Sequence, residues 1–70
     1  MAYFELIERI GSDYKYYYYP ENNRDKPGII GIRGGKRYIE KLSEEDEGGM
    51  YARQCFSHLK GQKKGMAAWF

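Results

Sequence analysis

Cys55 and His58, the only cysteine and the only histidine of this 70-residue chain, stand three positions apart. On a helix, side chains at this spacing are neighbours, and a thiol beside an imidazole is the arrangement of an activated nucleophile. Cys55 also belongs to an i, i+3, i+4, i+7 series that is typical of the buried side of a helix, namely Ala52, Cys55, Phe56 and Leu59. Free cysteine is among the most buried residue types, and no third residue is evident that would orient the imidazole. We therefore expect a core cysteine, a solvated histidine and no enzyme activity.

Four consecutive carboxylates could bind a hard cation, because such ions prefer oxygen ligands: Glu44, Glu45, Asp46 and Glu47. Their spacing differs from that of a calcium loop, in which the ligands alternate with other residues and an inner glycine makes the turn. One cysteine and one histidine are too few soft ligands for a closed zinc site. The acidic run instead suits the first turn of a helix, where the helix dipole favours negative charge. We expect no metal and no other cofactor.

The stretch GIRGGKR, residues 31–37, is glycine-rich and basic and so invites comparison with a phosphate-binding loop. It lacks both the lysine–serine ending of the phosphate loop and the glycine spacing of dinucleotide-binding folds. A hairpin turn at Gly34–Gly35 accounts for it, because a two-residue turn needs positive φ angles. The cations of this hairpin, with two from the preceding loop, form a predicted basic patch at one end of the sheet: Arg24, Lys26, Arg33, Lys36 and Arg37.

Five of the eight tyrosines fall within six positions: Tyr14, Tyr16, Tyr17, Tyr18 and Tyr19. Tyrosine favours the pleated, half-buried surface of a strand, and Pro20 ends the run because it cannot donate to a strand ladder. Alternation along the strand divides the run between two faces, with Tyr14, Tyr16 and Tyr18 on one and Lys15, Tyr17 and Tyr19 on the other. In so small a domain one set packs beneath a helix, and the other lines a contact face. The sequence leaves open which set is buried.

An exposed row of tyrosines suits two functions. Protein interfaces are enriched in tyrosine, because the ring buries a large area and keeps a hydroxyl for hydrogen bonding. Rings flanked by arginine and lysine also suit single-stranded nucleic acid, since bases stack on the rings and the cations follow the phosphates. The formal net charge of only +2 weighs against nucleic acid. We predict a non-enzymatic protein-interaction or regulatory module that self-associates as a homodimer, with single-stranded nucleic-acid binding as the alternative.

Composition limits the class of protein. Residues 1–70 are enough for one small domain with a small core. No apolar run reaches the roughly 20 residues of a membrane span, and the first residues carry charges inside their apolar pattern, unlike a signal peptide. We therefore expect a cytoplasmic protein with no membrane partner. A single cysteine excludes an internal disulfide, and a small domain without such a staple often relies on a partner subunit.

Hydrophobic periodicity predicts four strands before the helix. Residues 3–10 fit the periods of both a strand and a helix, and we prefer a strand because the following GSD and tyrosine run suit a hairpin. In the glycine hairpin, the two-residue turn places Ile30 opposite Ile39 and Gly31 opposite Tyr38. A ring over a glycine is a favourable cross-strand pair, because the ring covers bare backbone.

One helix follows the hairpin. Ser43 is a candidate N-cap, with Asp46 three positions later in the manner of a capping box, and Gly61 suits the C′ position. The glycines at 48–49 each lower helix propensity by about 1 kcal/mol relative to alanine, so a start near Met50 is the alternative.

The last segment, MAAWF, is apolar and predicts a fifth strand that docks Trp69 and Phe70 into the sheet. The element order is then β-β-β-β-α-β. This order predicts an α+β fold, with a small antiparallel sheet and one helix packed on one of its faces.

Several short motifs resemble, in their order, those of short uncharacterised bacterial proteins with a tyrosine-rich second strand: YYYP, KPGIIGI, LSEEDEGGMYA and KGMAAW. Those proteins share a Pro-Gly before a strand, a Leu-x-x-x-Asp start to a helix that carries Tyr-Ala, and a Lys-Gly-Met-x-Ala-Trp ending. The resemblance implies a compact α+β domain. It implies no established activity, and it assigns no functional residue.

Overall fold

A computed structural model of the chain describes residues 1–68 as five strands and one helix. The strands are β1 (Ala2–Ile10), β2 (Asp13–Pro20), β3 (Gly28–Arg33), β4 (Lys36–Lys41) and β5 (Lys64–Ala67), and the helix is α1 (Met50–Phe56). The strands form one antiparallel sheet in the order β4-β3-β2-β1-β5. The predicted α+β fold is confirmed. The predicted docking of Trp69 and Phe70 lies outside the described residues.

β1 and β2 form the hairpin at the centre of the sheet. Residues 3–10 are strand, so the helical alternative is wrong. The pairing of the two strands shifts between Leu6 and Glu8, where β1 has a bulge. Because a bulge adds one residue to one strand, it reverses the faces that the following side chains occupy. Arg9 consequently lies opposite Tyr14 on the face that the helix covers.

The β3–β4 hairpin has the predicted register. The Gly34–Gly35 turn has φ angles of +59° and +77°, and positive values at both central positions are what this turn requires. Ile30 lies opposite Ile39, and Gly31 lies opposite Tyr38. A Cβ atom on Gly31 would lie 2.6 Å from the Cζ atom of Tyr38. The ring therefore covers the glycine, as predicted.

The start of α1 confirms the later of the two predicted positions, and the Ser43 N-cap is wrong. The N-cap residue is Gly49, which has a φ of +73° and no side chain that could cap the helix. Asp46 supplies the missing acceptors from the preceding turn. Its carboxylate oxygens accept hydrogen bonds from the backbone N–H groups of Tyr51 at 3.0 Å and Ala52 at 2.9 Å.

The end of α1 comes earlier than predicted, at Phe56, and Gly61 is not its C′ residue. Leu59 lies beyond the helix but still packs against the core. Gly61 has a φ of +84°, and a Cβ atom there would lie 2.8 Å from a ring carbon of Tyr14. The glycine thus allows the connection between α1 and β5 to approach this ring.

The core lies between α1 and one face of the sheet. Aromatic side chains dominate it, and the largest buried members on the sheet side are Phe4, Tyr16, Tyr18 and Ile30. Phe4 and Tyr16 meet edge to face with their ring centroids 5.5 Å apart, a preferred geometry for aromatic pairs. Cys55 of α1 has no exposed surface and packs in the same cluster.

Candidate functional site

The tyrosines of β2 divide between the two faces of the sheet, as alternation predicts. Tyr16 and Tyr18 lie under α1 with no exposed surface, and Tyr14 packs half-buried beside them. The hydroxyl of Tyr16 donates a hydrogen bond to the carbonyl oxygen of Gln62 at 2.7 Å. These three tyrosines belong to the core, so they do not line an exposed contact face.

The hydroxyl of Tyr18 has two partners inside the core. It donates to Oδ2 of Asp46 at 2.8 Å and accepts from the backbone N–H of Ser43 at 3.0 Å. Burial is the main cause that raises the pKa of Tyr18 above its ordinary value, and the Asp46 carboxylate adds to it, while the Ser43 N–H acts in the opposite sense. The hydroxyl therefore stays protonated and serves as a structural donor.

The opposite face of the sheet, which we call the open face, has no helix or strand of residues 1–68 packed over it. It carries Tyr17 and Tyr19 from β2 and Tyr3 from β1. Tyr3 lies directly opposite Tyr19, and their rings stack with centroids 5.8 Å apart. The centroids of Tyr17 and Tyr19 are 6.3 Å apart. The three rings thus lie in contact across two strands.

Two aliphatic side chains extend this row across the sheet. Met66 of β5 is the strand partner of Tyr3, and Ile29 of β3 is the strand partner of Tyr17. Tyr17 is 38% exposed and Met66 is 47% exposed. We call the five side chains together the aromatic patch: Tyr3, Tyr17, Tyr19, Ile29 and Met66. The sequence predicts two of these five, Tyr17 and Tyr19. The face of Tyr3 stays undetermined in the sequence, because residues 3–10 fit both a strand and a helix.

Arg24, from the loop between β2 and β3, covers part of the aromatic patch. Its guanidinium carbon lies 4.1 Å from the ring centroid of Tyr3 and 5.0 Å from that of Tyr19. Tyr19 keeps only 8% of its surface exposed, and burial is the main cause that raises the pKa of its hydroxyl. Cation–π contacts contribute about 0.5–1 kcal/mol at exposed sites, so Arg24 is held against the rings.

The predicted basic residues do not form one surface. Two lie in the loop that precedes β3, and three lie at the far end of β3 and the start of β4: Arg24 and Lys26, then Arg33, Lys36 and Arg37. Because β3 has six residues, the two groups are separated by roughly 20 Å. A nucleic-acid strand would therefore not meet all five cations beside the rings.

Several of these cations already have partners. Nζ of Lys26 lies 2.7 Å from Oε2 of Glu44, and this pair raises the pKa of Lys26 and lowers that of Glu44. The guanidinium carbon of Arg37 lies 5.5 Å from the ring centroid of Phe56, on the side of the sheet that α1 covers. Lys26 is thus paired at the end of the sheet, and Arg37 points away from the open face. Arg33 does lie on the open face, with its guanidinium carbon 4.7 Å from the ring centroid of Tyr38.

Cys55 and His58 do not form a nucleophilic pair. Cys55 has no exposed surface, and burial, together with the nearby Asp46 carboxylate, raises the pKa of the thiol to about 12. Nδ1 of His58 lies 3.1 Å from the carbonyl oxygen of Gln54. A nucleophilic cysteine needs a lowered pKa and access to solvent, and this thiol has neither.

The acidic run is divided among separate contacts. Glu44 pairs with Lys26, Glu45 accepts a hydrogen bond from the side-chain amide of Asn23, and Asp46 is buried under α1. No group of three carboxylate, cysteine or histidine side chains in residues 1–68 is arranged to hold a metal ion.

A shallow cleft of about 80 Å³ lies between the two hairpin ends, beside Asp13, Lys15 and Arg33. Small-molecule pockets usually enclose roughly 300–1,000 Å³. This cleft has room for only a few water molecules, and the open face remains the larger candidate surface.

No helix in residues 1–68 has the length and apolar character needed to cross a membrane. The chain matches no family model, no curated protein and no solved structure. The resemblance to short bacterial proteins stays a prediction.

Proposed function

We propose that this chain is a small, non-enzymatic, cytoplasmic protein-interaction module that self-associates through the aromatic patch. The observation that supports this most directly is the position of Tyr17 and Met66. Both are exposed at the margins of stacked rings, on a sheet face that no helix or strand of residues 1–68 covers. The buried centres of protein interfaces are enriched in tyrosine and methionine and depleted in charge, and the aromatic patch has this composition.

The covered state of the rings favours a protein partner over nucleic-acid bases. A base stacks on a free ring face, but Arg24 already lies against Tyr3 and Tyr19. Tyr17 is the most exposed of the three rings. Tyr3 is half-buried and Tyr19 is buried. A single exposed ring does not make a row of stacking positions, whereas it does make an anchor for a protein surface.

The charges around the aromatic patch favour a second copy as the partner. Glu5 is the strand neighbour of both Tyr17 and Lys64, and on the other side of Tyr17 the Lys15 Nζ lies 3.3 Å from Oε1 of Glu40. The rim thus carries both signs next to an apolar centre. Two such faces can meet about a two-fold axis, with the packed sheets about 10 Å apart. Glu5 of one copy can then face Lys64 of the other.

Sedimentation velocity over a concentration series tests the proposal. The wild-type chain should self-associate, and Tyr17→Ser combined with Met66→Ser should raise the dissociation constant at least about tenfold, the effect of losing one interface anchor. Met50→Ser is the matched control, because Met50 is 59% exposed at the start of α1 and away from the open face. A monomeric wild type, or a double variant that associates like the wild type, would contradict the aromatic patch as the contact surface.

A further inference from the structure

β4 is the longer of the two sheet edges in residues 1–68. It has six residues, compared with four in β5, and its only hydrogen-bonded neighbour is β3. Every β4 residue except Tyr38 is exposed. An edge strand presents a row of unpaired N–H and C=O groups that another strand can pair with.

The hairpin turn determines which of these groups are free. In a two-residue hairpin the residues that flank the turn exchange both hydrogen bonds, and bonded pairs then alternate with non-bonded pairs. Lys36 and Tyr38 therefore bond to their β3 partners. The N–H and C=O groups of Arg37 and Ile39 point away from β3, at the free edge. The irregularity in the β3–β4 pairing comes only after Ile39.

We propose that β4 pairs antiparallel with β4 of a second copy, about a two-fold axis at Tyr38. Arg37 then lies opposite Ile39 of the second copy, and the two residues exchange both of their outward hydrogen bonds. Lys36 lies opposite Glu40 of the second copy. Because the contact is symmetric, this opposite-charge pair occurs twice, once on each side of the axis.

Charge and the bulge in β4 select this register over its neighbours. A shift of two residues in one direction places Arg37 opposite Arg37 of the second copy. A shift in the other direction places Arg37 opposite Lys41 of the second copy, which lies beyond the bulge and pairs with Ile29 of β3, so the two strands are no longer in phase there. Like charges directly opposite each other destabilise a strand pair. A shift of one residue sets the outward groups of one strand against the inward groups of the other, so their hydrogen bonds cannot form.

The two-fold axis runs perpendicular to the sheet, and this fixes the arrangement of the two copies. Both α1 helices lie on one side of a continuous sheet, and both open faces lie side by side on the other. The edge pairing uses the free side of β4, and the aromatic patch lies on the other four strands, with Glu40 at the border of both surfaces. Together the two contacts are compatible with a tetramer of 222 symmetry. The edge pairing stands on β4 alone and does not rest on the patch contact.

A charge-swap series tests the edge pairing, measured by sedimentation velocity in the Tyr17→Ser, Met66→Ser background so that the patch contact does not contribute. Lys36→Glu and Glu40→Lys should each raise the dimer dissociation constant about tenfold, because each creates two like-charge pairs. The double variant Lys36→Glu, Glu40→Lys should restore association. A background that is monomeric before any change in β4, or single variants that associate like their parent, would overturn the edge pairing while leaving the patch contact standing.

A second variant addresses the backbone directly. Ile39→Pro removes an outward N–H and leaves the β3–β4 bonds intact, which an edge strand tolerates, whereas Ile39→Ala removes the side chain but keeps the N–H. Proline should abolish the edge dimer, and alanine should weaken it much less. The amides of Arg37 and Ile39 should also exchange hydrogen more slowly as protein concentration rises. Exchange at these amides that does not depend on concentration would overturn the proposal, even if Ile39→Pro failed to fold.

Discussion

Tyr18 and Asp46, 28 positions apart in the chain, share a 2.8 Å hydrogen bond between hydroxyl and carboxylate inside the core. The same carboxylate oxygen accepts the backbone N–H of Ala52 at 2.9 Å. The bond therefore joins β2 to the first turn of α1. It explains how a helix of seven residues, whose N-cap is a glycine, keeps its position on the sheet.

Removing this hydroxyl should destabilise the fold. Tyr18→Phe takes one partner from Asp46 and leaves the N–H of Ser43, a residue only 2% exposed, without its acceptor. An unsatisfied buried group costs about 1–3 kcal/mol, and urea denaturation should show a loss of that size in the free energy of unfolding. Tyr17→Phe is the control and should stay within about 0.5 kcal/mol of the wild type. Equal stability of the two variants would mean that the hydrogen bond contributes nothing net.

Stability should fall at alkaline pH. Burial raises the pKa of the Cys55 thiol from its ordinary 9.0 to about 12, and it also raises the pKa of Tyr18. As the pH rises, the unfolded chain therefore releases these protons before the folded chain does. The free energy of unfolding keeps its maximal contribution from these groups below about pH 9 and decreases as the pH rises toward 12. Urea midpoints across this range measure the decrease, which Tyr18→Phe should make shallower.

The same burial predicts slow alkylation of the thiol. Cys55 should react with iodoacetamide at neutral pH only when the chain unfolds, because the reactive thiolate is scarce and inaccessible. Rapid alkylation of the folded chain would show that the thiol is not buried as described.

Gly31 provides a test of the packing on the open face. A Cβ atom on Gly31 would lie 2.4 Å from the carbonyl oxygen of Tyr14 and 2.6 Å from the Tyr38 ring. Gly31→Ala should therefore cost about 1–3 kcal/mol, as overpacking usually does. Gly48→Ala is the matched control, because a Cβ atom there has no neighbour within 4 Å. Chemical denaturation of both variants should separate them, and similar stabilities would contradict the contact between Gly31 and the ring.

Single-stranded oligonucleotides should not bind through the open face. Arg24 covers two rings of the aromatic patch, and the other cations of the predicted basic patch lie in the loop before β3 or at the far end of the sheet. Fluorescence anisotropy of a labelled oligonucleotide should stay flat at low salt, where phosphate contacts are strongest. Saturable binding that weakens steeply with salt and is lost in Tyr17→Ser would support the nucleic-acid alternative instead.

Local patterns predicted the sheet well, because its register follows from turn chemistry. The Gly34–Gly35 turn alone set Gly31 against Tyr38, and alternation divided the tyrosines of β2 correctly between two faces. The tyrosines alone do not identify the buried set, since both faces carry them, and only Lys15 beside Tyr17 and Tyr19 distinguishes the two faces. Which face of β2 is buried depends on where α1 packs. A loop joins β4 to α1, and no local sequence pattern specifies the path of that loop.

The site was harder to predict than the fold for the same reason. The spacing of Ser43 and Asp46 predicts a capping box. The helix instead begins after the glycines that follow Asp46, and the Asp46 carboxylate accepts hydrogen bonds from the first turn of α1 from a position outside the helix. Arg24 looked like part of a basic patch. Its position over Tyr3 depends on a contact between a loop and a strand that lie far apart in sequence, and such contacts leave no periodic signal.

The pairing of β1 with β5 sets the order in which the sheet can be completed during synthesis. Residues 2–5 of β1 gain a neighbouring strand on one side only after residues 64–67 have been made. The two hairpins can assemble earlier, and one edge of β1 then stays unpaired. Pairing between distant segments slows folding, and an unpaired strand edge in a partly made chain is prone to aggregate. For nascent chains of this protein, the interval before β5 is made is thus a stage at which protection by a chaperone would matter.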